Sequence, residues 1–301
     1  MKKLLFVINP YAGTRKATKV LADILAVFNR AEYDVHVYVT AEPGDGIRAV
    51  EQMAEGMDLV VCCGGDGTFN ETLTAMLRTG YQIPIGYIPA GSTNDFAASL
   101  HLPLDCVEAA RYIVEGVPEA YDAGRFGNRY FSYVASFGAF TKASYSTPQS
   151  VKNLLGHMAY LLEGVQELPQ IRKHHLKLTL DTGEVLEDDY LFGAICNSTS
   201  VGGVMTLAPD MVDLKDGKFE VLLIRAPKHL QELSECLLAM QKQQYNSAMM
   251  TFRSASEIVV EAQAEMPWTL DGEREDGHSV VRIQNLHRAI QIIQKKENDD
   301  V

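Results

Sequence analysis

An aspartate framed by glycines, Gly64-Gly65-Asp66-Gly67-Thr68-Phe69-Asn70, follows the apolar run Leu59-Val60-Val61-Cys62-Cys63. A helical pattern starts at once, with Phe69, Leu73, Met76 and Leu77 on one face. This order reads as strand, tight loop, helix. Glycine permits positive φ and a close backbone approach to a ligand, and loop amides ahead of a helix N-terminus bind anions. Asp66 would repel a bare phosphate, so the chemistry that suits the loop is a phosphate with a divalent cation between it and the carboxylate. The alternative use of the same glycines is a sharp turn and nothing more.

Three further groups carry chemistry. Asp66, Asp95 and Asp122 stand at predicted strand ends, where together they can hold Mg²⁺ against phosphate oxygens; singly, each is also an ordinary cap or turn residue. Asp213-Leu214-Lys215-Asp216-Gly217-Lys218 offers two carboxylates and a turn glycine. It reads equally as a hard-cation site using backbone carbonyls or as a polar turn before a strand. Trp268-Thr269-Leu270-Asp271-Gly272-Glu273 places carboxylates on a turn far in sequence from the glycine loop. Asp271 is there either a general base or part of a simple Asp-Gly turn. A P-loop is excluded, because no GxxxxGK[ST] occurs, and so is the dinucleotide fingerprint.

The elements that must position these residues fall into two halves. Leu4–Ile8, Val35–Thr40, Leu59–Cys63 and Ile85–Pro89 read as buried strands alternating with helices over 15–28, 46–57, 69–77 and 105–115, the last capped by Asp105. That alternation predicts a doubly wound parallel sheet, which binds ligands beyond the carboxyl ends of its strands. Asn9-Pro10-Tyr11-Ala12-Gly13, Thr40, the Gly64 loop and Gly91-Ser92-Thr93 all fall at such ends. Past about residue 122 the pattern becomes mainly antiparallel β, a sandwich with inserted helices. Its expected strands are Tyr130–Ala135, Leu176–Leu180, Leu191–Cys196, Lys218–Ile224, Glu257–Ala262 and Ser279–Ile283. Apolar helical spacing recurs at Leu154, Met158, Leu161, Val165 and Leu168, and a second helix is expected over 227–243. The run Ala289–Ile293 is expected to return to the first domain. The domains are thus 1–124, completed by 288–301, and 125–287.

A net charge of −12 argues against nucleic acid as the main partner. Five cysteines without metal spacing suit a reducing compartment. Met1-Lys2-Lys3 leads straight into a strand without a cleavage-type site, and no apolar run approaches about 20 residues, so neither signal peptide nor membrane span is expected. Arg15, Lys16 and Lys19 form either a solvated face or a patch for anionic groups.

Asn9-Pro10-x-Ala12-Gly13, Gly64-Gly65-Asp66-Gly67-Thr68-x-Asn70-Glu71, Pro89-Ala90-Gly91-Ser92-Thr93-Asn94-Asp95-Phe96, the Asp213–Lys218 turn and Leu270-Asp271-Gly272-Glu273 together resemble the bacterial diacylglycerol/lipid kinase family, relatives of sphingosine kinases. The glycine-aspartate loop alone is shared with NAD kinases and phosphofructokinases. The resemblance runs essentially end to end. It implies an ATP-dependent kinase, with the active site in a cleft between an α/β domain and a β-sandwich, converting diacylglycerol to phosphatidic acid. It implies ATP contacts from Asn9, Pro10, Tyr11, Ala12, Gly13, Thr40, Gly64, Gly65, Asp66, Gly67, Thr68, Phe69, Asn70 and Thr93. It further implies a catalytic Mg²⁺ reached through water by Asp66, Asp95 and Asp122, and a structural Mg²⁺ at Asp213, Asp216 and the Lys218 carbonyl. Asp271, with Glu273 nearby, matches the base. A cytoplasmic homodimer, peripheral at the inner face of the membrane, completes the expectation. Family members often carry Arg where this chain has Ala98 and Asn where it has Tyr133. An NAD kinase and a catalytically silent nucleotide- or lipid-binding regulator are the competing readings. The first lacks a Thr-Pro-Thr-Gly-Ser motif here, Asn197-Ser198-Thr199-Ser200 being a poor substitute, and retention of every candidate acid argues against the second.

Overall fold

A computed structural model describes residues 1–138, 173–201, 205–242 and 244–295. The chain divides into two compact units, 1–123 with 287–301, and 124–286.

The first unit is built on the strands β1 (Lys2–Ile8), β2 (Tyr33–Val39), β3 (Leu59–Gly64) and β4 (Ile85–Pro89). They lie in the order β2-β1-β3-β4 and pair in parallel. The helices between and after them are α1 (Lys16–Lys19), α2 (Leu21–Arg30), α3 (Asp45–Met53), α4 (Asp66–Thr79), α5 (Asp95–Ser99) and α6 (Cys106–Glu115). Strands buried on both faces read as continuous apolar runs, and β1, β3 and β4 do so. One face packs Leu4, Phe6, Ile8, Val61, Cys63 and Ile88 with Ile24 and Phe28 of α2 and Ala109 and Ile113 of α6. Asp105 caps α6 through bonds of 3.0 Å from the amides of Val107 and Glu108. The helix expected over 46–57 is shorter, ending at Met53, and the first expected helix is split at Val20.

The chain leaves this unit along β5 (Val117–Phe126) and returns along β17 (Val280–Gln294). Ile292 of β17 pairs in parallel with Ile85, adding a strand to the β4 edge. The sequence shows this strand as two fragments, because Gln284, Asn285, His287 and Arg288 interrupt its apolar pattern.

The second unit is a β-sandwich. After β5 it contains β6 (Arg129–Phe131), β7 (Val134–Gly138), β8 (His174–Leu180), β9 (Val185–Cys196), β10 (Ser200–Val201), β11 (Met205–Thr206) and β12 (Phe219–Arg225). Helix α7 (Leu230–Gln241) follows, then β13 (Met250–Ala255), β14 (Glu257–Ala262), β15 (Trp268–Leu270), β16 (Glu273–Glu275) and the first part of β17. The order is β16-β15-β7-β9-β8-β14-β17, with β12 joined to β9 and β13. Alternate residues Phe219, Val221 and Leu223 share a core with Leu176, Leu178, Ile258, Val260 and Trp268. Trp268 packs edge-on against Phe126 and Phe137, each with ring centroids 5.0 Å away.

Two sequence expectations change. Tyr130–Ala135 is not one strand but two, interrupted at Ser132 and Tyr133, whose amides turn to a side chain described below. Strand β13 was not expected at all. The apolar helical spacing at 154–168 lies outside the described residues. No helix among the described residues is long and apolar enough to cross a membrane.

Candidate active site

In the first unit the carboxyl ends of the parallel strands carry the candidate nucleotide residues. Asn9 continues β1, its amide donating to the Cys63 carbonyl at 2.9 Å, and Thr40 continues β2 with a 2.9 Å bond to Ile8. Ala90 continues β4, bonded at 2.7 Å to the Gly64 carbonyl. The Asn9 side chain donates to the Thr68 hydroxyl at 3.3 Å and accepts from the Tyr11 amide at 2.9 Å. These bonds bring the Asn9–Gly13 turn, Thr40, the Gly64 loop and the Gly91 loop to one edge of the sheet.

Glycine is required where backbones meet. A Cβ on Gly91 would lie 2.6 Å from the Gly65 Cα, and one on Gly13 (φ +50) would lie 2.5 Å from the Ala90 carbonyl oxygen. Three loops thus pack main chain against main chain. Beside them starts α4, a helix of 14 residues whose N-cap is Gly65 and has no side chain to satisfy the first amides. Helix N-termini carry partial positive charge and free N–H donors, so this corner is suited to a phosphate.

The acidic residues are placed less simply. Asp66 accepts from the amides of Asp95 (3.1 Å) and Phe96 (3.2 Å), which makes it a cap for α5 donated by another helix. Phe69 and Phe96, with centroids 5.0 Å apart, pack the same two helices together. Asp122 is fully buried and accepts from the Arg288 amide at 2.7 Å and from His287 Nδ1 at 3.1 Å. Among the described residues no group of three or more His, Cys, Asp or Glu side chains is gathered to hold a metal ion. Thr93 is exposed.

Two residues outside the expected set hold this edge in shape. Asn94 closes the Gly91 loop with bonds of 2.8 and 3.0 Å to the Gly91 amide and carbonyl. Glu71 of α4 accepts from Gly44 and Gly46 at 2.7 and 2.8 Å, tying the start of α3 to the glycine-loop helix. Only a side chain in contact across 25 positions could have revealed the second, which sequence spacing does not report.

In the second unit, Asp213 and Asp216 each accept a local amide, from Lys215 and Lys218, both at 2.9 Å. The Lys218 carbonyl accepts from Asn285 Nδ2 at 2.9 Å. All the donors are oxygens, the chemistry a hard cation takes. Behind the turn Glu220 is buried, its Oε2 without a hydrogen-bond partner among the described residues and its Oε1 3.5 Å from the Ser254 hydroxyl. Burial first, then the charges of Asp216 and Asp213, push its carboxyl up to about 8. An orphaned acidic oxygen beside two more carboxylates favours positive charge there.

Asp271 and Gly272, both with positive φ (+48 and +87), form the two-residue hairpin turn between β15 and β16. Its carboxylate is no ordinary turn residue. It reaches across to the break between β6 and β7 and accepts from the Ser132 amide (2.5 Å), the Ser132 hydroxyl (2.7 Å) and the amides of Tyr133 and Val134 (3.0 Å each). Burial pushes this carboxyl up, against the amides and hydroxyl that pull it down. The Asp-Gly turn read from the sequence is present, and the carboxylate it carries is buried and held by backbone amides and a hydroxyl. Glu273 is exposed and sits 3.3 Å from Arg129, which also binds Glu275 at 2.7 Å.

Comparison with known proteins agrees along the whole chain. Residues 3–126 match the family described as the diacylglycerol kinase catalytic domain. Residues 134–294 match the YegS C-terminal NAD kinase beta sandwich-like domain. The diacylglycerol kinase of Bacillus subtilis (strain 168) is 30% identical over 299 residues, covering 99% of this chain and 98% of its own. The crystal structure of a diacylglycerol kinase from Bacillus anthracis str. Sterne superposes with a TM-score of 0.74 at 22% identity, covering 98% of this chain and 97% of that one. An NAD kinase from Archaeoglobus fulgidus, solved in complex with ATP, shares the fold at a TM-score of 0.54 and 15% identity, covering 97% and 94%. With its glycine-rich corner in the one half and its matching sandwich in the other, the chain belongs to the diacylglycerol kinase family.

Proposed function

We propose that the protein transfers the γ-phosphate of ATP to a lipid hydroxyl, with diacylglycerol as acceptor and phosphatidic acid as product. The observation that carries this reading is the packed glycine corner at the N-terminus of α4, which no side chain caps, on a kinase-family scaffold. Asn9–Gly13, Thr40, Gly64–Asn70 and Thr93 contact the nucleotide in this proposal. Mg²⁺ would supply charge neutralisation at the phosphates, held through water by Asp66, Asp95 and Asp122, with a second ion at Asp213, Asp216 and the Lys218 carbonyl.

The chain's own part in the reaction is orientation and proton removal. Asp271 takes the proton of the acceptor hydroxyl as its oxygen bonds to the γ-phosphorus and ADP departs. Its donors keep the carboxylate fixed, while burial raises its affinity for that proton. Glu273, paired with Arg129, lies at the same turn. The acceptor is reached at the cytoplasmic face of a membrane, with the protein acting as a peripheral homodimer.

The test is transfer of labelled γ-phosphate from Mg-ATP to a panel of diacylglycerol, phosphatidylglycerol, sphingosine, ceramide and NAD. Wild type and Asp271→Asn run side by side. Labelled phosphatidic acid that disappears in the variant supports the proposal. Label on NAD would move the protein to an NAD kinase activity, the competing reading; nucleotide binding without product would make it a silent binder.

A further inference from the structure

Three of the four hydrogen bonds described at Asp271 come from backbone amides, which no side-chain substitution removes. The other comes from the Ser132 hydroxyl, 2.7 Å from Oδ2. Ser132 is 0% exposed and Asp271 6%, so water scarcely competes for this bond. The serine is itself fixed: its amide donates to the same Oδ2, and its carbonyl accepts from Asn197 Nδ2 at 3.2 Å. A buried hydroxyl carries a desolvation cost that alanine would avoid, unless its hydrogen bond returns something. Its chain neighbours Phe131 and Tyr133 are buried aromatic residues, so an apolar residue would suit the site if packing were its whole purpose. What the hydroxyl adds is a donor aimed at an ionised oxygen, and such bonds are among the stronger ones.

We infer that Ser132 is a positioning residue for Asp271, its hydroxyl aiming Oδ2 and favouring the ionised carboxylate that accepts the substrate proton. The inference rests on Asp271 being the base of the reaction proposed above. Ser132 is too deeply buried to meet the acceptor itself. It acts through the aspartate alone.

The direct test is nuclear magnetic resonance of the full chain with isotope-labelled aspartate carboxyl carbons, the Asp271 signal being assigned by its loss in Asp271→Asn. In Ser132→Ala the titration midpoint of Asp271 should rise by about one pH unit, the scale of one lost hydrogen bond to a charged group. Ser132→Thr, which keeps the hydroxyl, should bring it back. During turnover, the acid limb of the kcat/KM profile should move upward by the same amount, with the KM for ATP unchanged. An unmoved midpoint overturns the inference, as does a change confined to the KM for ATP. If Ser132→Ala does not fold, Ser132→Cys, of similar size and with a weak donor, is read in the same way. The two proposals fail separately. Phosphate transfer retained by Asp271→Asn removes the base, whereas an unchanged Asp271 midpoint removes only the serine's part.

Discussion

Glu220→Gln should make the protein more stable than wild type near pH 8 and leave it no more stable near pH 5. The native carboxyl is raised from an ordinary 4.5 to about 8 by burial and by its acidic neighbours. In the folded state it therefore keeps its proton over a range where the unfolded chain has released it. Because the native state binds the extra proton, stability is fully present below pH 4.5 and is lost as pH rises through about 8. At about 1.4 kcal/mol per pH unit, that interval corresponds to a loss on the order of 5 kcal/mol. A neutral glutamine mimics the protonated acid and removes the slope. Urea denaturation from pH 5 to 9 in the presence of a chelator would read the effect. Wild type should weaken across the range and the variant should stay level. Millimolar Mg²⁺ at the high end should restore part of the wild-type loss and raise the variant by less, if a cation is held at the Asp213–Lys218 turn, because only the wild type gains relief for the Glu220 charge as well. Wild-type stability that stays flat from pH 5 to 9 would refute the reasoning, as would a variant that keeps the full slope.

Two further perturbations separate the site from its scaffold. Gly91→Ala places a methyl group 2.6 Å from the Gly65 Cα and 2.7 Å from Asn94 Oδ1; relieving that overlap should cost about 1–3 kcal/mol and weaken ATP binding measured by calorimetry. Unaltered melting and affinity would show that the two loops are not packed as described. Asp105→Ala removes the acceptor for the Val107 and Glu108 amides and should lower stability by about 1 kcal/mol, with ATP affinity retained; an ATP affinity that falls in step would show that the cap supports the site directly.

The parallel strands of the first unit were legible because β1, β3 and β4 are buried on both faces and end in runs of Gly, Asn and Asp. The strand ends in turn pointed to the glycine corner proposed here to take a phosphate. What could not be read were contacts between distant positions. Ser132 and Asp271 lie 139 positions apart, and the break between β6 and β7 exists because the amides at 132–134 serve a carboxylate, a partner no local pattern announces. Asp66 was legible as a candidate site residue but not as the cap of α5, since its acceptors face amides 29 and 30 positions away. Strand β13 escaped notice for a different reason: only Met250 and Ala255 of its six residues are buried, so alternation never develops. Glu220 was hidden inside a strand that otherwise reads as continuous apolar sequence.

The return of β17 to the β4 edge has a bearing on how the molecule is made. A chain emerging from the ribosome delivers β1 to β4 and their helices first, yet the partner of Ile85 arrives only after the entire second unit has been translated. At about 5–20 residues per second, that interval lasts roughly 10–40 s. Throughout it the nascent sheet ends in an unclosed border of backbone donors and acceptors, the kind of edge that recruits foreign strands. The first unit, although earliest in sequence, is therefore the last to be finished, and newly made protein should depend on chaperone protection for as long as that border is open.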